Sequence, residues 1–152
     1  MYQKIYRLWK EIGLDGFWGD FFDVRFYLIF LLRGRKRENI IDIGCGSGVI
    51  SYFVNSSLKI GIDLSNEALQ NAKKLNPKME LIQASMYNLP IKHKSIKTVL
   101  SAHVIQALPE DMRIKACNEI KNITSKDGEI YMTCANLMSE HFQEKIKNIK
   151  SI

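Results

Sequence analysis

From residue 39 onward, short apolar runs with a period of two alternate with longer stretches whose apolar positions fall three and four apart. The first pattern belongs to strands with one buried face, the second to amphipathic helices. It predicts strands at 39–43, 58–62, 79–83, 97–101 and 128–134, with helices near 48–55, 66–75, 112–124 and 138–149. Ser65 is placed to cap the helix that starts Asn66-Glu67, and Asn76-Pro77 ends it. Asp127-Gly128 is a turn leading into the last strand. The first third reads differently. Ile5, Leu8, Trp9 and Ile12 recur at helical spacing, Gly13 and Asp15-Gly16 break that helix, and a second apolar helix runs from about Asp20 to Leu32, stopped by Gly34. Strands alternating with helices of this length predict a doubly wound, mostly parallel α/β sheet with helices on both faces. The expected organisation is one domain over 1–152: a helical cap (1–38), an α/β core (39–135) and a C-terminal helix (136–152).

The chemistry is concentrated where the first strand ends. Ile40-Ile41-Asp42-Ile43 runs into Gly44-Cys45-Gly46-Ser47-Gly48, followed by a helix start at Val49-Ile50. Glycines at a strand-to-helix turn let backbone amides approach a ligand without Cβ clashes. In such sheets ligands bind beyond the carboxyl ends of the strands. A dinucleotide fingerprint spaces its glycines Gly-x-Gly-x-x-Gly, whereas here the third glycine comes one residue early. Asp63 closes the second strand 21 residues after Asp42. A carboxylate there can accept from both hydroxyls of a ribose; the competing reading is an acidic residue favoured at a helix N-terminus.

Four segments over about residues 38–135 resemble the class I S-adenosylmethionine-dependent methyltransferases, in particular the small-molecule branch. They are Ile41 to Gly48, Lys59 to Ser65, Gln83 to Ile91 and Lys97 to Ile105. The resemblance implies that Asp42, Gly44, Cys45, Gly46 and Gly48 wrap the methionine part of S-adenosylmethionine. It implies that Asp63 holds the ribose, Leu64 packs on adenine, and Met86 offers adenine a backbone amide. The family usually has an acidic residue where Ser85 stands, which implies altered adenine recognition. Ser101 and Ala102 would lie beside the methionine backbone. His103 is the candidate base or acceptor-orienting group, with a histidine packed under the loop as the alternative. Tyr6 and Arg25 of the cap are candidates to reach the cofactor, Arg25 through its carboxylate; apolar packing and a surface arginine are the alternative. Ser101-Ala102-His103-Val104 lacks the Asn/Asp-Pro-Pro-aromatic signature of enzymes that methylate nucleobase amines. Lys97 stands where the family has an aspartate, at the start of strand four and remote from the cofactor.

The family sheet normally closes with an antiparallel hairpin beside strand five, and the chain has only a helix-like tail there. That leaves strand five as an open edge, which a shortened chain, a truncated sequence, self-association or a partner subunit would each explain. The readings that follow are methyl transfer to a small-molecule acceptor, a catalytically weak S-adenosylmethionine-binding module serving a partner, and an RNA-associated methyltransferase.

Composition changes this picture little. The 152 residues carry a net charge of +6, sharpest at Arg33-Gly34-Arg35-Lys36-Arg37. No aromatics interleave with that run as a stacking platform for nucleic acid requires, so it reads as a solvated connector. Cys45, Cys117 and Cys134 form no CxxC pair, so no zinc motif is present, and Cys45 is expected to serve as a small loop residue rather than a nucleophile. The longest apolar patch, Phe26 to Leu32, is too short to span a bilayer. With no apolar leader segment, a cytoplasmic location is the expectation.

Overall fold

The computed structural model describes residues 28–134. Residues 28–32 are helical. They lead into β1 (Arg37–Ile43), α1 (Val49–Phe53), β2 (Ser56–Asp63), α2 (Asn66–Leu75), β3 (Glu80–Gln83), β4 (Ile96–Ala102), a 3-10 turn (Ile105–Ala107), α3 (Glu110–Ile123) and β5 (Thr124–Thr133). The five strands are all parallel, in the order β3-β2-β1-β4-β5. The order reverses at β1, so the crevice for a ligand opens beyond the carboxyl ends of β1 and β4. Tyr6, Arg25 and most of the expected cap, together with the expected helix at 138–149, lie outside the described residues.

Side chains of successive strand residues point to opposite faces, and this alternation builds two cores. Ile40, Leu100 and Ala102 face Leu28, Ile29, Leu32, Val49, Ile50 and Val54. Ile41, Ile43, Ile62 and Val99 face Ala116, Ile120 and Ile123 of α3, with Met86 and Leu89 from the loop after β3. Ser65 caps α2 as expected, its Oγ accepting from Ala68 N at 3.2 Å. Glu67 in the first turn and Lys73 and Lys74 in the last complement the helix dipole.

Two expectations shift. α1 is only five residues long, because Val54 is already extended and the chain enters β2 at Ser56. β5 begins at Thr124, opposite Ile96, and resumes its register with Glu129 opposite Thr98. The Asp127-Gly128 turn is therefore a bulge inside the strand rather than its start. Among the described residues β5 pairs with β4 alone, and Ile130 on it is 47% exposed.

The basic run is not wholly the solvated connector that its composition suggests. Arg37 is buried at the start of β1, where its Nη1 donates to Glu129 Oε2 at 2.9 Å. Its guanidinium also lies 5.5 Å from the centre of the Tyr131 ring. Arg35 adds a looser contact to Glu129 at 3.6 Å. The Arg37 hydrogen bond, and the charges of Arg35 and Arg37, hold the Glu129 carboxyl below its ordinary range against its partial desolvation. Lys97 performs a similar task in the open, with Nζ 2.6 Å from Asp127 across the β5 bulge. Both pairs lie at the end of the sheet remote from the glycine loop, in keeping with a folding role for Lys97. Removing a buried cation strands its partner and its own packing. Arg37→Met should therefore lower the unfolding free energy by roughly 2 kcal/mol in denaturant titration, whereas Lys36→Met should stay within about 0.5 kcal/mol.

Candidate cofactor and active site

Gly44, Gly46 and Gly48 carry φ of 71°, 53° and 72°, the left-handed values that turn the chain from β1 to α1. Two of them do different work. A Cβ on Gly44 would stand 2.3 and 2.7 Å from the methyls of Val104, so this glycine lets the loop after β4 close over the first strand. A Cβ on Gly46 would meet nothing within 4 Å, so here the bare backbone faces open space. The loop is held from three sides. The Gly44 and Cys45 amides donate to Ile62 O at 2.7 and 2.9 Å. Asn76 Nδ2 donates to Gly48 O at 2.9 Å. Gly46 N donates to Asp63 Oδ2 at 2.8 Å.

Asp42 is 1% exposed on the face covered by α1, and Ser51 Oγ of that helix donates to its Oδ2 at 2.6 Å. It lines a cleft of about 280 Å³ together with Gly44, Cys45, Gly46, Ser47 and Ala102, bounded on the far side by Glu67 and Asn71 of α2. Cys45 belongs to this cleft as a packed thiol. Burial first, then the charges of Asp42 and Asp63, push its pKa far above the ordinary thiol value, which disfavours the thiolate that a nucleophile needs.

A second cavity of about 180 Å³ lies on the other side of Gly44, which lines both. Its floor is Asp63, Leu64, Ala84, Ser85 and Met86, and its roof is His103, Val104, Ala107 and Leu108. Asp63 is oriented by two backbone amides, Gly46 N on Oδ2 and Ser65 N at 2.9 Å on Oδ1. A carboxylate has about four acceptor positions, so each oxygen keeps at least one. Leu64 is 61% exposed beside it, an apolar surface for a flat ring. Ser85 Oγ accepts weakly from Tyr87 N at 3.4 Å, which folds its loop into a turn.

The structure thus brings Asp42, Gly44, Cys45, Gly46 and Ala102 to one cavity, and Asp63, Leu64, Ser85, Met86 and His103 to the other. Gly48 starts α1 behind the loop. Ser101 lines neither cavity. It is fully buried, and strand alternation puts it on the Val99 side, under α3. His103 has φ of 57°. Its backbone N donates to Thr133 O at 2.9 Å, and Gln106 Nε2 stands 3.4 Å from its Nδ1. Sequence reasoning missed Ser51, Asn76, Glu67 and Asn71 as parts of the site. Asn76, placed just before a proline, signalled only a helix end. Among the described residues no group of three His, Cys, Asp or Glu side chains could hold a metal ion, and no helix is long and apolar enough to cross a membrane.

The arrangement suits a ligand with a nucleoside at one end and an amino acid at the other. Asp63 lines one of the two adjoining cavities, and the glycine loop with the buried Asp42 carboxylate lines the other. The open space over Gly46, which a Cβ would fill, fits close approach by such a group.

Comparison with known proteins agrees with this reading. Residues 40–128 match the family described as Methyltransferase domain. The chain is 32% identical over 136 residues to a ubiquinone/menaquinone biosynthesis C-methyltransferase of Campylobacter jejuni, covering 84% of this chain and 55% of that protein. It is 28% identical over 131 residues to a malonyl-[acyl-carrier protein] O-methyltransferase of Hamiltonella defensa, covering 85% of this chain and 45% of that one. The chain therefore spans about half the length of the curated relatives it matches. Among solved structures it shares the fold of a possible histamine N-methyltransferase of Thermotoga maritima (TM-score 0.72, 21% identity, 100% of this chain and 70% of that one). It also shares the fold of a methyltransferase from Haloferax volcanii solved with the Trm112 activator (TM-score 0.73, 20% identity, 92% and 66%). Five parallel strands in this order, the glycine loop between Asp42 and Asp63, and the family match together place the chain in the class I S-adenosylmethionine-dependent methyltransferase family.

Proposed function

We propose that this S-adenosylmethionine-dependent methyltransferase transfers its methyl group to a small-molecule acceptor. The observation that carries the proposal is Asp63, whose two carboxylate oxygens are each oriented by one backbone amide and keep acceptor capacity. In this reading Asp63 takes both ribose hydroxyls. Leu64, Met86 and Leu108 enclose adenine. The glycine loop and Asp42 receive the methionine end, where a carboxylate suits the cofactor's ammonium. Ser85 contributes a neutral hydroxyl where the family usually has an acid. When bound, S-adenosylmethionine supplies a methyl group already activated by the sulfonium charge.

The protein's contribution is then alignment and exclusion of water, with proton removal where the acceptor needs it. In this reading His103 would serve that last task. β5 holds its backbone, and Gln106 bonds its ring through Nδ1. With Gln106 donating to Nδ1, the imidazole carries its proton on Nε2, which is buried under the loop, so the ring meets an acceptor only when the loop after β4 shifts. For the ring to act as a base through Nε2, the Gln106 amide must turn over. The named relatives act on carbon and on oxygen, so they do not fix the attacked atom in this chain.

The test is transfer of a labelled methyl group from S-adenosylmethionine into a small-molecule extract. A labelled, low-molecular-weight product is expected; label found only in added RNA would contradict the acceptor class. His103→Ala should lower kcat by about 10²-fold with the cofactor KM nearly unchanged. An unaltered kcat would reduce His103 to packing.

A further inference from the structure

Resting on the proposed placement of adenine, we infer that α3 clamps both walls of the adenine cavity through Arg113 and Glu119, which act as positioning residues for cofactor recognition. The two walls come from separate loops. One follows β3 and carries Ser85 and Met86; the other follows β4 and carries Val104, Ala107 and Leu108. Neither wall is part of a strand, so the gap between them must be fixed from outside the sheet.

α3 does this from the two sides of its buried stripe of Ala116, Ile120 and Ile123. Arg113 Nε donates to Leu108 O at 3.1 Å, and its Nη2 reaches Gln106 O at 3.4 Å. These contacts tie the 3-10 turn at the roof to the first turn of α3. Glu119 Oε2 accepts from Leu89 N at 2.9 Å, which fastens the floor loop two turns further along. Leu89 is 7% exposed and Met86 4%, both packed in the core that α3 shares through Ala116 and Ile120. The anchoring of α3 in that core gives both clamps the same rigid reference.

The clamp matters because Ser85 replaces a charged partner for the adenine amino group. A neutral hydroxyl already engaged in its own turn discriminates weakly, so recognition falls more heavily on the fixed spacing of the walls. Preorganised spacing raises affinity by removing the cost of ordering the loops on binding. Arg113 and Glu119 therefore act at the nucleoside end alone and through the loops they hold, without touching the ligand.

The experiment is calorimetric titration with S-adenosylhomocysteine and with methylthioadenosine, which keeps the nucleoside and lacks the amino-acid end. Glu119→Ala and Arg113→Met should each weaken both ligands by the same factor, about tenfold. Glu119→Gln keeps an acceptor oxygen and should stay within about threefold of the unsubstituted protein. Lys115→Ala, an exposed change on the same helix, should bind as the unsubstituted protein does. Unchanged affinity in Glu119→Ala and Arg113→Met overturns the clamp, as does a loss confined to S-adenosylhomocysteine. Should Arg113→Met fail to fold, the Glu119 pair decides. If the unsubstituted protein binds neither ligand, the cofactor reading falls and the clamp with it.

Discussion

Asp63→Asn should reduce affinity for S-adenosylhomocysteine by about 10²-fold or more while leaving the fold intact. The size follows from how the carboxylate is held. Backbone N–H groups already donate to each oxygen, Gly46 N to Oδ2 and Ser65 N to Oδ1. An amide has one oxygen and one NH₂, so one of these amides would face a donor instead of an acceptor. The side chain can then keep the glycine loop or the start of α2, but not both. It also offers a ribose one acceptor position in place of a pair. Charge-assisted hydrogen bonds contribute about 1.5–3 kcal/mol each, and losing one at the ligand outright and the charge on the other gives the expected factor. Calorimetry measures it directly. An affinity within about threefold of the unsubstituted protein would remove the ribose assignment.

Gly44→Ala carries the second large effect, and it differs in kind from the same change two residues on. At Gly44 the new methyl would lie 2.3 Å from a Val104 methyl. The clash pushes the loop after β4 away from β1, and both cavities open because Gly44 lines each of them. The positive φ of 71° adds strain of about 1–2 kcal/mol for any L side chain. Stability should fall by about 2–4 kcal/mol, and cofactor affinity should be lost beyond measurement. At Gly46 the methyl meets nothing within 4 Å, so only the strain of φ 53° applies. Gly46→Ala should lose about 1 kcal/mol of stability, yet still bind poorly because the methyl occupies the ligand's approach. Thermal unfolding with and without S-adenosylhomocysteine separates the two. Equal stability losses at both positions would contradict the assignment of Gly44 to the closure against Val104.

Where local chemistry decided the outcome, the chain could be read in advance. Ser65 caps α2 because a serine before Asn66-Glu67 satisfies an open helix amide wherever it occurs. The strands followed from their apolar runs, but both faces of β1 and β4 are buried, as in a parallel sheet, where the alternation had suggested one. The positions of Asp42 and Asp63 toward the ends of β1 and β2 were legible because their spacing is set by one strand-helix-strand unit.

What sequence reading misplaced depended on distant partners. Arg37 looked like one more surface cation in a basic run, and its burial is decided by Glu129, 92 positions away. Ser101 reads as a site residue by its neighbours. Its direction depends on strand alternation persisting through the last residues of β4, which no local signal reveals. Arg113 and Glu119 sit among charged residues of an amphipathic helix, and only the folded loops beside them give those two a distinct task. The β5 bulge was hidden because Asp127-Gly128 is equally good chemistry for a turn between elements.

Binding of cofactor is the claim on which the rest depends. Isothermal titration of the unsubstituted protein with S-adenosylhomocysteine, run beside a titration with NAD, tests it most directly. Saturable one-to-one binding of S-adenosylhomocysteine below millimolar concentration is expected, and none of NAD. No heat from S-adenosylhomocysteine at millimolar concentration, or tighter binding of NAD, would contradict it.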